Sequence, residues 1–386
     1  MTAAKTRAGS SRLTQWVTYG ICVAIGAILF TVWAMPNWKR TVNGENDFLQ
    51  LYAGAKLVRT PDLYNTEASR RIHTQVTSDG NWYPSVYYTR LPWYALALSP
   101  LGKLPYLTAY AIWVWGNIAI FAAFLYLYVR QYLDGIMFAS LSVPMLVNFT
   151  NGQDAGLVTA LCGFGMLLSA RGRDFEAGLL MSLASIKFHV LILAPVAVIL
   201  HRRWALLRGA SVGAAVLLVL SAIADGWDWP RRFLAVVSNP ELHPGPDHMV
   251  TLRNLAWVVS GGDNRPFELA LSALVAVLYA WLAWRIRDFR IAFGLAIPAG
   301  LLVCHHAYSQ DLLLLLLSLF LFVLARASSW LRGVTIVAVL PPAVFMLFSG
   351  FPYSTAVPLL LLSILLAAAA KDAHSTTGSP AGLQAS

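Results

Sequence analysis

Apolar runs with few or no charged residues, separated by polar stretches, occupy most of the chain. The first extends from Trp16 to Pro36, close to the roughly 20 residues that a helix needs to cross a bilayer. Further runs lie near 91–102, 106–129, 135–149, 154–170, 177–200, 209–224, 267–284, 291–304, 312–325, 333–348 and 353–370. The pattern predicts an all-α integral membrane protein with about 12 transmembrane helices.

The composition excludes the other classes of protein. Of the 386 residues, 58% are hydrophobic and 12% are charged, whereas a soluble domain carries about 25% charged residues. A soluble domain, a disordered chain and a disulfide-rich secreted module are therefore excluded. The net charge of +10 does not indicate nucleic-acid binding, because the basic residues lie between apolar runs rather than on one face. The three cysteines lie inside apolar runs and form no CxxC pair, which is typical of core residues.

The basic residues indicate an orientation. Lys5, Arg7 and Arg12 precede the first run, which is longer than the roughly 7–15 apolar residues of a secretory signal. The run therefore predicts a retained signal anchor with a cytoplasmic N-terminus. With that start, most basic residues of short loops fall on the cytoplasmic side of an inner (plasma) membrane. The turn with Arg171 and Arg173 is an exception, because it falls outside.

These features predict one transmembrane domain over residues 15–370. A cytoplasmic segment, 1–14, precedes it, and a polar tail, 371–386, is predicted to be disordered and cytoplasmic. Two long polar segments, 37–90 and 225–266, form loops outside the cytoplasm and hold more than half of the carboxylates. The chemistry is therefore expected at the outer face.

The first outer loop predicts amphipathic surface helices, the first beginning near Asp47 and a second, short one from Glu67 to Val76. Phe48, Tyr52 and Ala55 recur at helical spacing, and Asp47 lies at the first turn. A carboxylate held at a membrane–water boundary is suited to take a proton from a sugar hydroxyl. Capping of the helix is the other interpretation of Asp47, and spacing does not decide between them.

Two cationic residues and a tyrosine lie near the predicted spans. Arg90 begins a span and either binds a phosphate or snorkels to lipid headgroups. Tyr88 belongs either to a pocket wall or to an interfacial aromatic belt. Lys187 lies inside an apolar run, where an unpaired ammonium costs about 2.5–3.5 kcal/mol, so it predicts a functional site or a buried pair.

Two polar turns complete the candidates. Gln153 and Asp154 lie in a turn that the orientation places on the cytoplasmic side, so a role in an outer pocket requires a different topology. His305, His306 and Tyr308 follow a span at its outer end. Adjacent helical residues point about 100° apart, so the histidines are expected to donate hydrogen bonds to an anion rather than to chelate zinc, a buried core histidine being the alternative. No Gly-rich phosphate loop or HExxH motif occurs, so the energy must arrive with an activated lipid substrate.

Five segments, in order, resemble the GT-C glycosyltransferases of family 87, the polyprenol-phosphate-mannose-dependent group. They read NDFLQLYAGAKLVRTPDLYN (46–65), YYTRLPWYALALSPLGKLP (87–105), NGQDAGLVTALC (151–162), AGLLMSLASIKFHVLILAPVAVILHRRW (177–204) and HHAYSQDLLLL (305–315). The sequence departs from the usual pattern where Arg90-Leu91-Pro92 replaces a Pro pair and where Phe188 replaces a Pro.

The resemblance implies a GT-C-like bundle and an inverting transfer of a sugar, mannose first, from a polyprenyl-phosphate donor to a glycolipid or glycan acceptor. It places Asp47 as the catalytic base. Lys187, His305 and Arg90 become candidates for donor-phosphate binding, and the candidates for the pocket wall are His306, Tyr308, Gln153, Asp154 and Tyr88. No cofactor is expected, although a divalent metal is not excluded, and no nucleic-acid partner is expected.

Three alternatives stay open. The donor sugar could be arabinofuranose, since the family includes such members. A lipid or sugar-lipid transporter without chemistry would show paired charges deep in the membrane and inverted repeats, whereas this chain has one deep lysine and no repeat. The third alternative is an inactive relative that binds glycolipid as a scaffold, against which the intact Asp47 argues.

Overall fold

The computed structural model describes residues 12–77, 87–129, 141–239, 242 and 245–375. This part of the chain is helical and contains no strand, which confirms the predicted all-α membrane protein. The predicted segment 1–14 lies almost wholly outside the described residues. The last helix continues to Ser375, so the predicted tail begins with helical residues, and the rest of it lies outside the described part.

The helices follow the apolar runs. In the first half they are α1 (Arg12–Leu29), α2 (Met35–Val42), α3 (Phe48–Leu57), α4 (Thr66–Val76), α5 (Pro92–Leu98), α6 (Tyr106–Val129), α7 (Val143–Thr150), α8 (Ala155–Ala170), α9 (Asp174–Ser182) and α10 (Ala194–Leu200). In the second half they are α11 (Trp204–Asp225), α12 (Trp229–Val237), α13 (Leu252–Ser260), α14 (Arg265–Arg285), α15 (Phe289–Val303), α16 (Leu315–Leu324), α17 (Ser329–Val339), α18 (Pro341–Phe348) and α19 (Ala356–Ser375). A π-helical segment joins α1 to α2, and 3₁₀ segments cover Leu101–Lys103, Leu183–Leu191, Pro246–His248, Ser309–Leu314 and Tyr353–Thr355.

Several helices are bent or too short to cross a membrane alone. Within the described residues, four helices are long and apolar enough to span a bilayer, and counting three bent helix pairs as spans gives up to seven. The pair α7 and α8 bends by 117°, and the chain from α9 to α10 bends by 113°. The predicted 12 spans are therefore not confirmed, because hydropathy registers an apolar run without registering a bend inside it.

The first polar segment differs in part from the predicted surface helices. α4 is amphipathic, with Ile72 and His73 buried and Arg70 and Arg71 exposed. α3 is buried over most of its length instead of lying on a surface. Gly54 permits this burial because it lets the Tyr88 ring lie directly on the helix; a Cβ on Gly54 would come within 2.2 Å of that ring. α3 is thus part of the protein core.

Contacts of the first polar segment define one end of the bundle, here called the site end. The Tyr52 hydroxyl donates to the carbonyl of Leu104 at 2.7 Å, so the start of α6 lies beside α3. The backbone amide of Arg59 donates to the carbonyl of Ala224 at 3.0 Å, which brings the last turn of α11 to the same end. α5 therefore does not cross the bundle, although the run 91–102 was predicted to be a span, and Lys103 lies at the site end.

A second set of contacts defines the opposite end. The Arg203 guanidinium donates to Ser169 at 2.7 Å and to Asp174 at 2.8 Å. These bonds join the last turn of α8 and the first residue of α9 to the start of α11. The ring of His201 lies 3.1 Å from the carbonyl of Ala283, near the end of α14. Arg171 and Arg173, expected on the same side as the polar loops, lie at this opposite end.

The course of α8 explains this correction. The Tyr110 hydroxyl donates to the carbonyl of Thr150 at 2.7 Å, and that of Tyr128 donates to Gly163 at 2.9 Å, so α6 and α8 run side by side in the same direction. The turn 151–154 before α8 therefore lies at the site end, where α6 begins. The placement expected from charge alone was wrong at this turn.

Glycines bring α9 and α11 into backbone contact near the opposite end. A Cβ on Gly178 would lie 2.0 Å from the carbonyl oxygen of Leu206, and one on Gly209 would lie 2.0 Å from that of Phe175. Gly209 and Gly213 form a GxxxG motif, the spacing that lets two membrane helices approach closely. This contact fixes the start of α9, which leads to Lys187.

We predict that Gly178→Val destabilises the fold, because the backbone atoms it meets cannot move aside. Overpacking of this kind costs about 1–3 kcal/mol, so the midpoint of thermal unfolding in detergent should fall. The matched control is Gly116→Val in α6, where a Cβ would meet nothing within 4 Å. Equal midpoints for the two variants would contradict the close contact.

Candidate functional site

Asp47 precedes α3 but does not cap it. Its side chain makes no capping hydrogen bond. The amide of Phe48 donates instead to Asn46 Oδ1 at 3.0 Å and to the carbonyl of Asn151 at 3.0 Å. The capping interpretation of Asp47 is therefore wrong, and its carboxylate serves another contact.

That contact comes from the turn 151–154. Gln153 Nε2 donates to Asp47 Oδ2 at 2.8 Å. Gly152 has a φ of +63°, which favours glycine, and a Cβ there would come 2.7 Å from Cβ of Phe48. Trp113 Nε1 also donates to the carbonyl of Gly152 at 2.8 Å. A tight turn is thus docked on the start of α3, and it delivers Gln153 to Asp47.

The next residue, Asp154, is the centre of a buried ion-pair network. Arg90 donates to Asp154 through Nε at 2.9 Å and Nη2 at 3.3 Å. Lys187 Nζ lies 3.3 Å from Asp154 Oδ1 and 2.7 Å from Asp311 Oδ1. Arg90, Asp154, Lys187 and Asp311 are all buried, the most exposed being Arg90 at 7%. We call these four residues the ion-pair network.

Local backbone geometry places each member. Asp154 lies at the N-terminus of α8, where the helix dipole favours an anion. Lys187 interrupts its 3₁₀ segment with non-helical dihedrals, φ −124° and ψ 54°. Asp311 accepts the backbone amide of Tyr308 at 2.9 Å. The network thus joins four segments that are distant in sequence.

The electrostatic surroundings of Asp47 act in opposite directions. Burial raises the pKa of Asp47, while the hydrogen bond from Gln153 and the charges of Lys187 and Arg90 lower it; the pKa is raised overall. Three carboxylates, those of Asp47 and the network, face two cations, so the group carries one excess negative charge when all are ionised. An anionic substrate must therefore meet further hydrogen-bond donors.

His305 and His306 contact different parts of the protein. His305 Nδ1 lies 3.1 Å from Glu268 Oε1 and 2.5 Å from Arg265 Nη1. The rings of His306 and His189 stack with their centroids 4.7 Å apart, and His189 follows Lys187 by two residues in the sequence. The adjacent histidines thus have different surroundings, and the described residues contain no group of three or more His, Cys, Asp or Glu suited to hold a metal.

Tyr88 and Tyr308 differ in their positions. Tyr88 is 1% exposed, covers Gly54 and donates its hydroxyl to Leu91 at 2.8 Å. It is therefore a core residue at the base of the site rather than part of an exposed wall. Tyr308 is partly exposed and lies beside Asp311.

Sequence reasoning missed several of these residues. Asp311, His189 and Glu268 contact predicted site residues but were not among the candidates. Asp311 had a usable signal, since it opens an apolar run and a charge there needs a partner, as Lys187 does. His189 and Glu268 had no such signal, because their roles depend on tertiary contacts.

A comparison with protein families identifies the class of this protein. The model of Glycosyltransferase family 87 matches residues 88–305, more than half of the chain. The chain belongs to glycosyltransferase family 87. It is therefore a glycosyltransferase in a membrane. The match includes Arg90, Gln153, Asp154, Lys187 and His305, whereas Asp47 precedes it. No curated protein and no solved structure matches the chain.

We predict that the two ends of this family 87 glycosyltransferase face opposite sides of the membrane. Single cysteines at Thr60, Arg171 and Arg287, all exposed, would be placed in a variant whose native cysteines are replaced by Ala. An impermeant maleimide added to sealed vesicles of one orientation should label Thr60→Cys on one side only. If Thr60→Cys is labelled in sealed vesicles, Arg171→Cys and Arg287→Cys should be labelled only after the vesicles are opened. If the vesicles have the other orientation, the two patterns should be exchanged. Labelling of Thr60→Cys and Arg171→Cys from the same side would contradict the course of α8.

Proposed function

We propose that this glycosyltransferase moves a sugar, mannose, from a polyprenyl-phosphate donor to a glycolipid or glycan acceptor, with inversion at the anomeric carbon. The observation that carries the proposal is the Asp47 carboxylate. It is not used for capping, it is held by Gln153, and it lies within electrostatic reach of Arg90 and Lys187. A base beside buried cations is suited to a reaction that takes a proton from an alcohol and expels a phosphate.

The transfer proceeds in one displacement. The acceptor hydroxyl gives its proton to Asp47 as its oxygen bonds to the anomeric carbon of the sugar. The bond between that carbon and the phosphate oxygen breaks, and its electron pair leaves with the polyprenyl phosphate. The raised pKa of Asp47 supports this role, because a carboxylate of higher pKa is a stronger base.

Several hydrogen-bond donors must stabilise the negative charge of the leaving phosphate. Arg90 and Lys187 are preorganised by Asp154 and Asp311, so they present fixed N–H groups without a net positive charge. His305 would add a donor to the phosphate, while His306 and Tyr308 would line the pocket with Gln153. In this scheme Asp154 acts on the cations rather than on the substrate.

The distribution of basic residues supports a site on the non-cytoplasmic face. The loops at the end opposite the site contain Arg171, Arg173, Arg202, Arg203, Arg285, Arg287, Arg290, Arg326 and Arg332. Short loops rich in Arg and Lys face the cytoplasm. The site end would then face outward in a plasma membrane, where a lipid-linked donor is accessible to the site from within the bilayer.

We predict that Asp47→Asn loses sugar transfer by about 100-fold or more, because the amide cannot accept the proton. The measurement is transfer of radiolabelled mannose from polyprenyl-phosphate mannose to a membrane-lipid extract in proteoliposomes. Asp228→Asn is the matched control, since it removes a carboxylate that is exposed at the site end.

The outcomes separate the parts of this proposal. Transfer by Asp47→Asn at the rate of the wild type would remove Asp47 from its role. Transfer by the wild type from a polyprenyl-phosphate arabinofuranose donor but not from the mannose donor would overturn the choice of sugar. Net movement of an intact glycolipid without transfer would favour a transporter.

We predict that EDTA leaves the transfer rate unchanged. The described carboxylates at the site are bound to cations or to Gln153, and no group of three metal-ligating side chains lies among the described residues. The rate would be compared after EDTA treatment and after addition of Mg²⁺ or Mn²⁺. A loss of transfer that either ion restores would contradict a phosphate site built from protein donors alone.

A further inference from the structure

We infer that Gln153 is a positioning residue: its amide fixes the orientation of the Asp47 carboxylate and selects which oxygen accepts the proton. This inference rests on the proposed function, in which Asp47 is the base. Gln153 does not touch the reacting atoms in this scheme. It acts through Asp47.

The contact between the two side chains fixes one carboxylate oxygen. Gln153 Nε2 donates to Oδ2 of Asp47 at 2.8 Å, a charge-assisted hydrogen bond. With Oδ2 held, we assign Oδ1 as the oxygen that accepts the proton of the acceptor. A glutamine is suited to this task because its amide donates without carrying a charge or a transferable proton of its own.

Gln153 itself is held on both sides. Its backbone amide donates to the carbonyl of Asn148 at 2.8 Å, and its side chain is buried. The preceding residue, Gly152, is fixed against Phe48, and the following residue, Asp154, is fixed in the ion-pair network. A side chain anchored in this way loses little entropy when it orients Asp47.

The same geometry couples the two halves of the site. Consecutive residues of one turn contact the base, through Gln153, and the two cations, through Asp154. The turn therefore sets the distance from Asp47, the proton acceptor, to Arg90 and Lys187, which would face the phosphate. Loss of Gln153 should release the base while leaving the cations in place.

The test is Gln153→Leu, assayed for sugar transfer across a range of pH. The donated hydrogen bond lowers the pKa of Asp47, so its removal raises that pKa. The base must be ionised, and activity is lost as pH falls through its pKa. The acid limb of kcat should therefore move to higher pH, by about one unit for the loss of one hydrogen bond to a charged group.

At its optimum pH, kcat of Gln153→Leu should fall on the order of tenfold because the base is no longer oriented, while KM for the donor stays the same. Gln153→Asn, which keeps the amide on a shorter side chain, should recover part of the rate and part of the pH shift. Gln310→Leu is the matched control, since Gln310 is also buried beside the network and its side chain contacts Ser309 rather than Asp47. Its acid limb should not move.

Each outcome bears on the inference. An acid limb of Gln153→Leu that stays in place overturns it, whether the rate falls or not, and a lower thermal midpoint with an unmoved limb assigns Gln153 a purely structural role. Suppose that the acid limb does not move but that the wild type transfers sugar and Asp47→Asn does not. The proposed function then stands, and only the inference about Gln153 fails. If the wild type transfers no sugar from any polyprenyl-phosphate donor, the proposed function fails and the inference fails with it.

Discussion

A buried charge must be paired, and the arrangement of this protein around its site depends on that requirement. The four charged side chains of the ion-pair network are buried in a helical membrane protein, where an uncompensated charge is strongly destabilising. Each member of the ion-pair network comes from a different segment of the chain: Arg90 from the end of the first polar segment, Asp154 from the start of α8, Lys187 from the 3₁₀ segment after α9, and Asp311 from the start of the segment before α16. None of these segments can move away alone without leaving a partner unpaired. The network therefore fixes the relative positions of four elements that hydrophobic packing alone would allow to slide, because lipid and apolar side chains are similar in polarity.

The same constraint positions the Asp47 carboxylate. Asp154 is bound by two cations, and the turn that carries it is tight because Gly152 has a positive φ and lies against Phe48. Gln153 lies between these two residues and donates its side-chain amide to Asp47. One turn of four residues thus contacts both the Asp47 carboxylate, through Gln153, and the cations of the network, through Asp154. Asp47, the base in the proposed function, is thus held at the site end by a turn that the ion-pair network fixes.

Part of this could be predicted from the sequence. The apolar runs predict an all-α membrane protein because a bilayer requires helices of a minimum length, and that prediction is confirmed. The cost of a lone ammonium in an apolar run marks Lys187 as either functional or paired, and the structure pairs it. The partner could not be predicted, since Asp154 and Asp311 lie far from Lys187 in the sequence.

The side of the 151–154 turn was also wrong, because the span count treated the run 91–102 as a crossing, whereas α5 is short and does not cross the bundle. Once that turn is at the site end, Arg171 and Arg173 join the other basic residues, and the charge pattern becomes consistent.

The most direct measurement of the network's role is a double-mutant cycle on Lys187 and Asp311, whose charged atoms lie 2.7 Å apart. Lys187→Met, Asp311→Leu and the double variant would be compared with the wild type by equilibrium unfolding in mixed lipid–detergent micelles. Each single variant leaves a buried charge with fewer partners, so each should be strongly destabilised. The double variant should be less destabilised than the sum of the two, with a coupling free energy of about 1–3 kcal/mol. Additive effects of the two substitutions would contradict the claim that this buried pairing holds the site together.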